Sequence, residues 1–90
     1  MKTIQIIVKG KVQGVYYRQS AKEKAVDLKI TGTVQNTEDG DVLIIATGNP
    51  DQLSTFTDWC RVGPTRANVT EVLIEEILLQ TFTGFRVLRF

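Results

Sequence analysis

From Thr3 to Lys9 apolar and polar residues alternate, with Ile4, Ile6 and Val8 on one face and Thr3, Gln5 and Lys9 largely on the other. A period of two predicts a half-buried strand. Gly10 and Gly14 then bracket a loop. From Tyr17 to Lys29 the period lengthens: Tyr17, Ala21, Ala25 and Leu28 recur among Lys22, Glu23, Lys24 and Asp27, which predicts an amphipathic helix with one buried stripe. Thr33 to Asn36 and Asp41 to Thr47 read as paired strands. The polar cluster between them, Thr37, Glu38, Asp39 and Gly40, ends in an Asp-Gly pair that favours a tight antiparallel connection.

Asn49, Pro50 and Gln52 open a second helix: an amide cap, proline at the first helical position, and a side chain placed to reach back to the cap. Leu53, Phe56 and Cys60 mark its buried face, and Arg61, Gly63 and Pro64 close it. Val69 to Leu79 and Gly84 to Phe90 have the composition of strands. The implied architecture is α+β, a ferredoxin-like sandwich of βαββαβ order with an additional short C-terminal strand and two helices on one face of a mostly antiparallel sheet. Such a fold hosts enzymes, RNA-binding modules and ligand sensors, so it assigns no activity by itself.

With 90 residues, 42% of them hydrophobic and 23% charged, the chain is expected to form one ordinary globular domain over 1–90. The longest apolar run, Val42 to Ala46, is far short of the ~20 residues of a membrane-crossing helix, so no membrane association is expected. The single cysteine, Cys60, allows no internal disulfide, and no leader-type apolar run is present, which suits a reducing cytoplasm. Histidine is absent, which removes histidine bases, phosphohistidine intermediates and the commonest transition-metal ligand. Net charge is only +1, but Met1 to Ile30 holds seven Lys and Arg against Glu23 and Asp27, leaving the remainder net acidic. An anionic partner for the first third fits that asymmetry, as does a scatter of solvated lysines.

The candidate chemistry lies at two junctions. Gln13, Gly14, Val15, Tyr16, Tyr17 and Arg18 join the first strand to the first helix, where unpaired N–H groups and the helix dipole attract anions. The Arg18 guanidinium adds a planar fork that meets two phosphate oxygens at once. Two turn glycines and a surface arginine remain the plain alternative. Gly14 is not followed by Lys-Ser or Lys-Thr, so the segment is no nucleotide P-loop. Asn36, at a strand end, carries both an acceptor and donors and could hold a water, although an amide bonded to turn backbone is the simpler reading. Glu38, Asp39 and Asp41 lack calcium-loop spacing, so turn chemistry is preferred and no metal site is expected. Cys60, Phe56 and Trp59 read as packing residues, not as nucleophile or stacking platform.

These residues resemble the acylphosphatase family. Gly10-Lys11-Val12-Gln13-Gly14-Val15-Tyr16-Tyr17-Arg18 matches its Gly-x-Val-Gln-Gly-Val-x-Phe-Arg signature, and Gly32 to Val42 matches its Gly-x-Val-x-Asn-x-x-Asp-Gly-x-Val signature. Gly63-Pro64, Ala67, Val69 and the ending Gly84-Phe85-Arg86-Val87 follow the family pattern more weakly, so the likeness runs along nearly the whole chain. It implies metal-independent, cofactor-free hydrolysis of small acyl phosphates to a carboxylate and inorganic phosphate, by a monomer. It further implies that Arg18 binds the phosphate, that Asn36 orients the water, and that Gln13, Gly14, Val15, Tyr16, Tyr17 and Arg18 form the cradle. Tyr17 stands where phenylalanine is usual, and Tyr16 occupies a variable position. Either hydroxyl could add a polar contact or narrow the mouth of the site.

Two rivals are weaker. An RNA-recognition module of this fold needs aromatics on its central strands, and Thr3 to Lys9 and Asp41 to Thr47 have none, so no nucleic-acid partner is expected. A non-catalytic anion sensor, or a domain assisting a larger carbamoyl-handling enzyme, fits a free-standing chain less well.

Overall fold

A computed structural model describes residues 1–89. The elements run β1 (Lys2–Lys11), α1 (Tyr17–Asp27), β2 (Thr31–Asn36), β3 (Val42–Gly48), α2 (Pro50–Val62), β4 (Asn68–Ile77) and β5 (Phe85–Leu88). They form one sheet in the order β4-β1-β3-β2-β5. All pairings are antiparallel except β2 with β5, which is parallel. The expected architecture is therefore present, final strand included, although Phe90 lies outside the described residues. No helix among those residues is long and apolar enough to cross a membrane.

Register explains the core. Ile6 stands opposite Ile44 on β3, and Ile44 opposite Val34 on β2, so the inward rows of three strands coincide. Together with Ala21 and Ala25 of α1, and Leu53, Phe56 and Cys60 of α2, they make one buried cluster, so both helices cover the same face. Gln52 accepts the Asn49 backbone N–H at 3.0 Å, as the expected cap requires.

Four local expectations need revision. Thr3, assigned by alternation to the solvent face, is fully buried. It shares a 2.6 Å hydroxyl contact with Thr47, its register partner on β3. The Gln80 backbone N–H donates to the Thr3 hydroxyl at 2.9 Å, and Thr47 donates to the Gln80 carbonyl at 2.8 Å. The chain after β4 thus bonds to the sheet at this point, and β4 stops at Ile77, short of the expected Leu79. The first helix stops at Asp27 instead of Lys29, because Lys29 takes the left-handed conformation (φ 60°) usually filled by glycine. Lys29 and Ile30 N–H return to the carbonyls of Val26 and Ala25 at 3.0 and 2.9 Å, the bonding of a Schellman closure. Finally, β1 continues beyond Lys9 through an irregularity at Gly10 to pair with Asn68 and Val69. A Cβ at Gly10 would collide with the Asn68 carbonyl, so only glycine lets the strand carry on.

Candidate active site

The loop from Val12 to Tyr16 is pinned by its apolar members. Val12 and Val15 are buried in the core, whereas Gly14 and Tyr16 face outward. Gly14 has φ 72° with open space where a side chain would stand, and Tyr16 follows at φ 68°, ψ 22°. Two left-handed residues so close together swing the chain into α1. Tyr16 is the N-cap of that helix, yet no side chain caps it and no acidic residue lies in its first turn. The first intrahelical bond is from Ser20 N–H to the Tyr16 carbonyl at 3.2 Å, so the preceding N–H groups of the helix have no intrahelical partner.

The Gln13 side chain does not enter the site. Its Nε2 donates to the Thr37 carbonyl at 2.9 Å and to the Asp41 carbonyl at 2.8 Å, both in the hairpin turn between β2 and β3. It therefore ties the loop before α1 to the turn beside Asn36 and sets the two motifs at fixed separation. The hairpin is braced further by Lys9, whose Nζ lies 2.8 Å from the Asp41 carboxylate; that bond holds the Lys9 pKa above its usual value. Asp41 is thereby engaged by a lysine. Among the described residues no group of three or more His, Cys, Asp or Glu could hold a metal ion.

A cleft of ≈ 420 Å³ opens where these parts meet, lined by Gly14, Tyr16, Tyr17, Arg18, Asn36 and Arg89, with Val12 and Gln19 completing its wall. A smaller depression of ≈ 210 Å³ shares Arg18, Asn36 and Arg89 with it and adds Leu88. Arg18 Nη1 donates to the Leu88 carbonyl at 3.2 Å, so β5 steadies the guanidinium. Asn36 ends β2, and its Oδ1 is buried without a hydrogen-bond partner among the described residues. Buried polar atoms rarely go unpaired, so the fold leaves this oxygen unsatisfied beside the cleft.

Of the residues expected in the site, Gly14, Tyr16, Tyr17, Arg18 and Asn36 come together, while the Gln13 and Val15 side chains point elsewhere. Tyr17 contributes only its buried ring. Its hydroxyl donates to the Cys60 carbonyl at 2.7 Å, and burial pushes its pKa far above the usual phenol range, so this hydroxyl makes no contact in the cleft mouth. Cys60 is buried as expected, and desolvation pushes its thiol up to about 12, the opposite of an activated nucleophile. Trp59 packs on the rings of Tyr17 and Phe56. Arg89 was missed by sequence reasoning. It reaches the cleft only because β5 runs parallel to β2 along the sheet edge, a long-range pairing that no local pattern announces.

Comparison with known proteins agrees with this fold. A family model of acylphosphatases matches residues 4–87. An acylphosphatase of Marinobacter nauticus is 51% identical over 82 residues, covering 90% of this chain and 89% of that protein. The structure of an acylphosphatase from Coxiella burnetii superposes with a TM-score of 0.93 at 42% identity, covering 96% of this chain and 90% of that one. The acylphosphatase crystal structure from Bacillus subtilis gives 0.96 at 32% identity, covering 99% and 100%. The chain belongs to the acylphosphatase family and is a hydrolase of that class.

Proposed function

We propose that the protein hydrolyses small acyl phosphates by capturing the phosphoryl group at the α1 N-terminus and directing a water held by Asn36 against phosphorus. The observation that carries this reading is that Asn36 of β2 and Arg18 of α1 line one cleft at the start of α1. An acyl phosphate brings a carboxylate leaving group, so neither a strong acid nor a covalent intermediate is needed, and positioning with charge stabilisation suffices. Backbone N–H groups of the loop and first helical turn, including those of Val15 and Tyr16, serve as donors to the phosphoryl oxygens. Arg18, held by the Leu88 carbonyl, adds its fork, and Arg89 adds a second positive charge at the rim. The Asn36 amide holds the water and aims its lone pair at phosphorus, opposite the departing acyl oxygen.

No carboxylate lines the cleft among the described residues, and the chain has no histidine. The water proton therefore passes to a phosphoryl oxygen of the substrate itself. Water and the acyl phosphate dianion give a carboxylate and dihydrogen phosphate, with atoms and charge balanced. Hydrolysis of acetyl phosphate in 18O-labelled water, with and without a chelator, tests the scheme. The label is expected in phosphate, at a rate the chelator leaves unchanged. Label in acetate would mean attack at carbon and would overturn the role given to Asn36, and a chelator-sensitive rate would overturn metal independence.

A further inference from the structure

Resting on that reading, we propose that Tyr16 selects the acyl group, and that the site favours acyl phosphates whose acyl part is a flat aromatic ring. In-line displacement places the acyl oxygen across phosphorus from the attacking water, and Asn36 marks the water's side. The two depressions share Arg18, Asn36 and Arg89, and only the larger continues past Gly14 to Tyr16. The acyl group therefore departs over Tyr16.

The chemistry of that part of the cleft is narrow. Val12 and Tyr17 are buried, Gly14 has no side chain, and Tyr16 is 68% exposed, the one exposed aromatic ring among the described residues. Its hydroxyl has no hydrogen-bond partner among those residues, so the ring face is the feature on offer. The backbone fixes where this side chain leaves the chain, because Tyr16 adopts φ 68°, a conformation that residues with a side chain seldom take. Such outliers persist at ligand sites where the surrounding structure fixes them, here between buried Val15 and buried Tyr17. A ring at a cleft rim, with no carboxylate beside it, suits offset stacking on an aroyl group and offers acetyl almost nothing.

The measurement is kcat/KM for benzoyl phosphate divided by that for acetyl phosphate, in the wild type and in Tyr16→Phe, Tyr16→Gly and Tyr16→Asn. Glycine and asparagine both accept the left-handed conformation, so the ringless variants keep the loop. Intrinsic reactivity of the two mixed anhydrides cancels between variants. The ratio should fall between about twofold and about tenfold in both ringless variants and hold in Tyr16→Phe, as expected for loss of one aromatic pair. Inhibition by non-hydrolysable benzoylphosphonate should weaken in step, whereas acetylphosphonate should change less. An unchanged ratio in Tyr16→Gly and Tyr16→Asn overturns the proposal and leaves the hydrolase reading intact. Equal loss in Tyr16→Phe would assign the effect to the hydroxyl and overturn stacking. Failure of the wild type to hydrolyse either acyl phosphate overturns the hydrolase reading itself.

Discussion

The two helices begin in opposite ways. At the start of α2, Asn49 occupies the cap with extended backbone, Pro50 fills the first turn where a missing N–H costs nothing, Asp51 balances the dipole, and Gln52 closes back on the Asn49 N–H. At the start of α1 each of these devices is missing: Tyr16 sits in a left-handed conformation, no side chain caps it, no acid lies in the first turn, and Arg18 places a positive charge there. A helix end left uncompensated in this way is less stable by itself and more attractive to an anion. The chain thus contains one helix start closed by its own side chains and one whose N–H groups no side chain caps. The open one is supported from outside, by buried Val12 and Val15, by Gln13 bonded to the hairpin, and by β5 beneath Arg18.

The largest effect should come from removing what makes α1 different. Arg18→Ala should lower kcat/KM for acetyl phosphate by about 10²- to 10³-fold, the scale of losing one preorganised donor to transition-state charge. Arg18→Lys should recover little, since an ammonium cannot reproduce the planar fork. Near-normal turnover by a folded Arg18→Ala protein would remove the guanidinium from the mechanism. Asn36→Ala should act differently, reducing kcat by up to about 10²-fold through a misplaced water while KM and inhibition by phosphate stay close to wild type. Weaker phosphate binding with intact kcat would make Asn36 an anion ligand instead.

The contrast between the helix starts was partly legible in sequence. Asn49, Pro50 and Gln52 announce a cap by type and spacing alone, whereas Gly14 through Arg18 and Asn36 read equally well as turn residues and a surface charge until the family signatures are matched. What stayed hidden depends on residues far apart in the chain. Thr3 is buried because register sets it against Thr47 and Gln80 seals both, so strand alternation alone placed it on the wrong side. Arg89 reaches the cleft through the parallel pairing of β5 with β2. Gln13 belongs to a recognised motif, yet its partners are the Thr37 and Asp41 carbonyls, so its part is to join the two junctions. Lys29 ended α1 early because a lysine adopted the conformation that glycine usually signals.

Smaller effects follow from exchanging one feature between the helix starts. Gln19→Glu gives the first turn of α1 the acid that Asp51 supplies to α2. A carboxylate at that position is worth about 0.3–1 kcal/mol against the helix dipole, and it would compete with a bound anion for the same field. The inhibition constant for phosphate should accordingly rise about two- to fivefold, more at low salt than at high salt. The reciprocal change, Gln52→Ala, removes the return bond from the Asn49 N–H and should lower unfolding free energy by about 1 kcal/mol, read from the denaturation midpoint. It should leave kcat/KM where it was, because α2 begins beside Lys2, Leu53 and Ile74, away from the cleft that holds Arg18. If Gln52→Ala slowed hydrolysis as much as Gln19→Glu weakened phosphate, the two helix starts would not be the separate devices described, and the open end of α1 would owe its anion affinity to the stability of the whole domain.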